Sequence, residues 1–183
     1  MIEAVLVGLA MFPAGIIYAS FAEWLLHGRI LHRPLMGIQH FFHGHAKVHH
    51  FRYQGDSSYW VGQRARTDLT FAWWAMPFPV LFHVPMLGAI ALWLSIPAAL
   101  GLLAAFVVYQ SSYEYLHYCM HVPSGRWFER TRAFRWINAH HLQHHQKHNT
   151  NLNVVLPIAD FLLGTRQRPQ GFLAVRGDGA LTA

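Results

Sequence analysis

The chain has 183 residues, of which 54% are hydrophobic and only 12% charged, with a net charge of +6 and a single cysteine. So large an apolar share excludes a disordered chain, and the charged share is about half of the roughly 25% usual on a water-soluble domain. The lone Cys119 excludes an internal disulfide framework and any multi-cysteine zinc or iron–sulfur site.

In chain order, residues 2–22 are almost continuously apolar, with Glu3 the only charge. A stretch of about 20 apolar residues crosses a bilayer as a helix. No Lys or Arg precedes it, unlike the basic start of a cleaved signal peptide, so a retained span over about 2–24 is predicted. The next apolar stretch runs from Leu69 to about Tyr115, too long for one crossing. Two spans, about 69–94 and 97–117, are predicted around a tight turn at Ser95, Ile96 and Pro97. Pro77, Pro79 and Pro85 are expected to kink or break the first of them. The tail, 165–183, is expected to be peripheral, and 1–183 to form a single membrane-embedded domain.

The cations sort by segment. Six of the 14 Lys and Arg lie between Arg29 and Arg66, eight lie from Arg126 onward, and none falls in 1–26 or 67–125. Cations flanking apolar segments follow the positive-inside pattern of membrane proteins, and a nucleic-acid partner is not expected. Three spans put 27–67 and 118–183 on one side, read as cytoplasmic. Every cation and 13 of the 15 histidines fall there; His117 stands at the very end of the third span, and His83 lies inside the second. With no polar neighbours in sequence, His83 reads as structural.

The histidines form four clusters: EWLLHGRILH (His27, His32), HFFHGHAKVHH (His40 to His50), EYLHYCMH (His117, His121) and HHLQHHQKH (His140 to His148). Residues three or four apart share a helix face. His117 with His121, the trio His141, His144 and His145, and the pair His45 and His49 with His50 beside them can therefore each converge on a metal. His40, His43, His140 and His148 stay open between filler, supporting residue and extra ligand. Glu23, four before His27, and Glu114, three before His117, are candidates to orient ligand imidazoles through their second nitrogens. Ten imidazoles with almost no thiolate suit zinc, copper, nickel or iron, and suit two ions at about five each. Haem is disfavoured because the histidines sit at span ends and in loops. Transport is disfavoured because the spans carry almost no polar pathway.

These clusters resemble the histidine boxes of the fatty acid hydroxylase / sterol desaturase superfamily of membrane di-metal oxygenases, over about Phe21 to Thr165. EWLLHGRILHR resembles the first box (His27, His32), YEYLHYCMHVPSG the third (His117, His121) and AHHLQHH the fourth (His141, His144, His145). The similarity is nearest to the fatty acid 2-hydroxylase branch. The second box departs: the family commonly has HxxHH, whereas this chain has HxxxHH, so His49 and His50 carry over while His45 competes with His43. NTNLNVVLPIADFLLGT resembles the segment after the fourth box, which makes Asn153 and Asp160 expected pocket or supporting residues.

The resemblance implies an all-α integral membrane protein with about three spans and a cytoplasmic histidine-rich helical cap. The cap would hold two irons, with zinc a substitute in purified protein. It also implies dioxygen, a lipid substrate from the bilayer and O2-dependent hydroxylation of an acyl chain. A carotenoid or sterol hydroxylase or desaturase would use the same boxes, and a non-catalytic metal-binding or transport protein is the contrasting class. Relatives often carry a fused cytochrome b5 domain. None is seen here, so an external ferredoxin- or cytochrome b5-type donor is expected. Arg126, Arg130, Arg132 and Arg135 would dock that donor or anchor the cap to anionic lipid. Trp24, Phe41, Phe42, Tyr113, Tyr115 and Trp136 would wall an apolar tunnel or, Trp136 above all, form an interfacial belt. The compact chain suggests a bacterial inner membrane rather than endoplasmic reticulum.

Overall fold

The computed structural model describes residues 2–61, 69, 77–168, 174–175 and 181–182. It is helical apart from a two-residue antiparallel pair, β1 (Ala174–Val175) with β2 (Leu181–Thr182). Among the described residues, two helices are long and apolar enough to cross a membrane: α1 (Ile2–Leu26), extended to Leu31 by a π turn, and α6 (Ile96–His121). They correspond to the first and third expected spans, each running a few residues further at its histidine end.

The two helices lie parallel, because small residues let their backbones meet. A Cβ on Gly101 would fall 2.2 Å from the Gly8 carbonyl oxygen, and one on Gly15 would fall 2.6 Å from Ala105 Cβ. Further along, Tyr109 on α6 donates to Glu23 on α1. Small-residue contacts of this kind are how helices associate where no hydrophobic effect drives them together. The parallel pairing brings the histidine ends of both helices to the same side of the molecule, although 90 residues separate His27 from His117.

The middle segment differs from a continuous span. Its described part holds two short helices, α4 (Phe78–Leu81) and α5 (Val84–Trp93), broken at His83. Pro79 and Pro85 stand in their first turns, where a missing N–H costs nothing, so each proline starts a helix, and Pro85 prevents α4 from continuing into α5. The start of the expected span, 70–76, lies outside the described residues. Met86, Leu87 and Ile90 of α5 pack on Leu102, Phe106 and Tyr109 of α6. Leu9, Leu92 and Trp93 are among many exposed apolar side chains, a surface suited to lipid.

Beyond the long helices lies a compact cap. It comprises α2 (Gln39–Phe42), a second π turn (His43–His49), α3 (His50–Arg52), α7 (Arg132–Gln146) and α8 (Ile158–Leu162). Thr131 caps α7 by accepting from the Phe134 amide. Phe134, Ile137 and Leu142 of α7 bury against Tyr113, Cys119 and Met120 of α6.

Candidate metal centre

Two π turns set the first two histidine clusters. In an α-helix, residues five apart point about 140° away from each other. His27 and His32 are five apart, as are His45 and His50. Both pairs are closed by i→i+5 backbone bonds, from the His32 amide to the His27 carbonyl (3.1 Å) and from the His50 amide to the His45 carbonyl. The wider turn brings each pair onto one face, a use for which such bulges recur at functional sites. The His27 and His32 rings stack at 5.1 Å, and His45 and His50 lie 4.7 Å apart. The extra residue of the HxxxHH box is absorbed here, and it is His45 that faces inward while His43 is exposed.

Ten histidines gather into two groups of five. The first is His27, His32, His45, His50 and His144; the second is His49, His117, His121, His141 and His145. Within each group the ligand nitrogens lie within 4.8 Å of one another. The groups adjoin, with the His50 and His145 rings 4.2 Å apart. Neighbours in sequence divide between the groups at His49/His50 and His144/His145.

Five of the rings are oriented by backbone carbonyls. Nδ1–H of His27 donates to Leu152 (2.5 Å), that of His117 to Leu69 (3.0 Å), that of His121 to Tyr59 (2.8 Å) and that of His144 to Thr150 (2.9 Å); His145 donates to Tyr53. A carbonyl can only accept, so the Nε2 of each neutral ring carries a bare lone pair. These lone pairs converge. In the first group the Nε2 atoms of His27 and His45 are 2.9 Å apart, those of His32 and His144 3.1 Å, and those of His50 and His144 3.2 Å. In the second, His141 and His145 are 3.1 Å apart and His49 and His145 3.3 Å. The buried Nε2 atoms of His117 and His121 have no hydrogen-bond partner among the described residues.

Such an arrangement fits a metal ion in each group. Nitrogens held about 2.1 Å from one ion and at right angles to each other stand about 3.0 Å apart, against about 3.4 Å at the tetrahedral angle. The observed separations, 2.9–3.3 Å, lie close to the range spanned by these two geometries.

Burial first, and then the mutual repulsion of neighbouring imidazolium charges, holds His45, His49, His50, His141, His144 and His145 far below the ordinary imidazole range. The same causes bring His32 to about 2. The rings are thus unprotonated and ready to bind metal. In the folded, metal-free protein they refuse protons that the unfolded chain accepts below about pH 6.5. Stability is therefore fully present above that pH and lost as the pH falls below it. The melting temperature of chelator-treated protein should hold steady from pH 8 to 7 and drop steeply between 6.5 and 5.

The carboxylates support the site indirectly. Glu23 is not hydrogen-bonded to His27; it accepts from Tyr109 (2.7 Å), Asn153 Nδ2 (2.9 Å) and the Val154 amide (2.7 Å). Glu114 accepts from Gln110. The expected carboxylate partners of His27, His117 and His121 are thus replaced by carbonyls. Asp160 is fully buried and accepts from the amides of Leu152 (3.0 Å) and Asn153 (2.7 Å) and from Thr165 Oγ1 (2.6 Å), with His140 Nε2 at 3.0 Å. Burial opposes its charge, but these hydrogen bonds hold it below the usual carboxylate range. Asn153 ties the loop to α1 by donating to the Ser20 carbonyl (2.7 Å). The 150–156 loop is therefore a belt that presents the Leu152 and Thr150 carbonyls to His27 and His144. Asn151, at a positive φ of 54°, turns the belt and donates to the His140 carbonyl.

His140 and His148 stand outside both groups. His140 pairs with Asp160, and the exposed His148 has its ring 4.3 Å from that of His50. Arg126 is engaged by Glu129, whereas Arg130 and Arg132 are exposed. Trp136 stacks on His140 and Phe161.

An apolar cavity of about 160 Å³ lies between α1, α4 and α6 and reaches His27. Of the aromatics expected to wall a tunnel, Phe41 and Tyr113 line it; Trp24, Phe42, Tyr115 and Trp136 do not. Comparison with family models, characterised proteins and solved structures gives no match to this chain.

Proposed function

We propose that the chain is an integral membrane di-iron oxygenase of the fatty acid hydroxylase / sterol desaturase type, hydroxylating a lipid chain drawn from the bilayer. The observation that carries this reading is the apolar cavity that meets His27, a member of a buried five-histidine group. A redox-inert or cargo-carrying metal site has no need of an apolar chamber at its edge.

His27, His32, His45, His50 and His144 would hold one iron, and His49, His117, His121, His141 and His145 the other. Imidazole accepts iron and zinc alike, and the preference for iron comes from the histidine-box resemblance. Bound there, the irons would supply reductive activation of dioxygen: R–H, O2, two electrons and two protons give R–OH and water, the electrons coming from an external ferredoxin- or cytochrome b5-type protein. The chain's own part is to hold ten unprotonated imidazoles, to fix five of them through carbonyls, and to keep water from the apolar wall where the substrate chain lies. Exposed Arg130 and Arg132 offer that donor a basic surface.

The parallel course of α1 and α6 supports three crossings. If both cross in one direction, the chain between them must return, and the broken α4–α5 segment is the returning piece. The distribution of cations favours a cytoplasmic histidine cap, and with it the reading of a bacterial inner-membrane protein.

The test is expression in an iron-replete host with a competent donor under isotopically labelled dioxygen, followed by lipid mass spectrometry. One labelled oxygen atom in a new hydroxylated lipid is expected. A new double bond or an altered ring would move the reading to a desaturase or to a carotenoid or sterol enzyme. Unchanged lipids with redox-inert zinc in the protein would overturn it in favour of non-catalytic metal binding.

A further inference from the structure

The far end of the apolar cavity holds one polar side chain. His83, between α4 and α5, is 6% exposed and lines the cavity, packed against Phe106 (4.5 Å) and edge-on to Tyr18 (5.4 Å). Its Nδ1–H donates to the Pro79 carbonyl (2.7 Å), which leaves Nε2 of the neutral ring a hydrogen-bond acceptor. That Nε2 is buried without a partner among the described residues. Other polar groups on the wall are already bonded: Glu23 and Tyr109 to each other, Gln110 to Glu114. A buried acceptor with no donor is costly, and such a group in a native fold calls for an explanation.

The position along the helix gives the explanation a length. His83 sits at the level of Tyr18, nine residues before His27 on α1, so about 13 Å of helix separate the polar end of the cavity from its metal end. We infer that His83 seats the polar end of the lipid substrate, accepting a hydrogen bond from its hydroxyl or carboxyl hydrogen, and so sets which carbon reaches the metal centre. The inference rests on the oxygenase reading and deepens it. The oxidised carbon would lie many methylenes from the polar group rather than beside it. That differs from the 2-hydroxylation that the resemblance implies.

Binding tests the seat without turnover. Full-length, metal-loaded protein in lipid nanodiscs is offered 1-dodecanol, its methyl ether or dodecane, and bound probe is counted by native mass spectrometry. The alcohol donates a hydrogen bond, the ether cannot, and the alkane reports the apolar wall alone. Wild type should prefer alcohol over ether by about tenfold, the order expected for one buried hydrogen bond. His83→Phe should lose that preference while keeping both metals and its dodecane occupancy. No alcohol preference in wild type, or an equal preference in the variant, would overturn the seat. If His83→Phe does not accumulate, the wild-type alcohol-to-ether ratio decides, with His83→Gln, which retains an acceptor, expected to keep part of the preference. Because no oxidation is required, failure of the oxygenase reading leaves this result interpretable. Where turnover is seen, 1-dodecanol should be oxidised in its distal half, and oxidation at the carbon next to the hydroxyl-bearing one would contradict the assigned role.

Discussion

Replacing His144 or His145 with alanine is expected to empty one metal position and spare the other, so that each variant binds one ion in place of two. The two residues are adjacent in α7 but belong to different groups, His144 to the first and His145 to the second. Each is also central to its group: the His144 Nε2 faces His32 and His50, and the His145 Nε2 faces His49 and His141. Neither change should disturb α1 or α6, so membrane insertion should persist. Turnover should fall by more than about a hundredfold in both, since even loss of an outer partner commonly costs about 10–100-fold. Metal analysis of the purified variants beside lipid turnover checks this. Retained turnover, or loss of both metals from each variant, would refute the division into two groups.

Asp160→Ala is expected to be the most damaging change among residues that touch no metal. It would strip a buried carboxylate from two amides, a hydroxyl and an imidazole at once. Each buried donor left without its acceptor costs about 1–3 kcal/mol, so losing several at once costs about 3–5 kcal/mol. At about 2–4 °C per kcal/mol for a chain of this size, the melting temperature should fall by about 10 °C. The loss should also be directional. The Leu152 amide is held by Asp160 and the Leu152 carbonyl holds His27, so metal should leave the first group before the second. Thermal melting together with metal retention under a chelator reads both effects. Asp160→Asn, which keeps the shape and one acceptor, should fall between wild type and Ala.

The sequence is informative where chemistry is carried by side chains and local spacing. Apolar runs mark α1 and α6 to within a few residues, and box spacing with the resemblance points to the histidines of both groups, while the choice of His45 over His43 is made only by the second π turn. What escapes is carried by the backbone or by tertiary pairing. The rings of His27, His117, His121, His144 and His145 are oriented by carbonyls of Leu152, Leu69, Tyr59, Thr150 and Tyr53, and a carbonyl has no signature in a sequence. Glu23, four residues before His27, suggests a direct partnership by α-helical spacing. The π turn and the arriving 150–156 belt instead turn the carboxylate toward Tyr109, Asn153 and Val154. The assortment of ligands into groups is also hidden. Adjacent residues of a box separate between the two groups, a division that exists only once α7 is laid against both π turns. His83 is read from sequence as structural because no polar residue stands beside it, and the partner it has among the described residues, the Pro79 carbonyl, leaves no trace in a sequence.

The central claim is that each of two five-histidine groups binds one iron. X-ray absorption at the iron edge, joined to metal quantification on the same anaerobically purified sample, tests it most directly. Two irons per chain are expected, each with about five nitrogen or oxygen neighbours near 2.1 Å and the outer-shell scattering pattern of imidazole. A single iron per chain, or iron lacking the imidazole pattern, would contradict it.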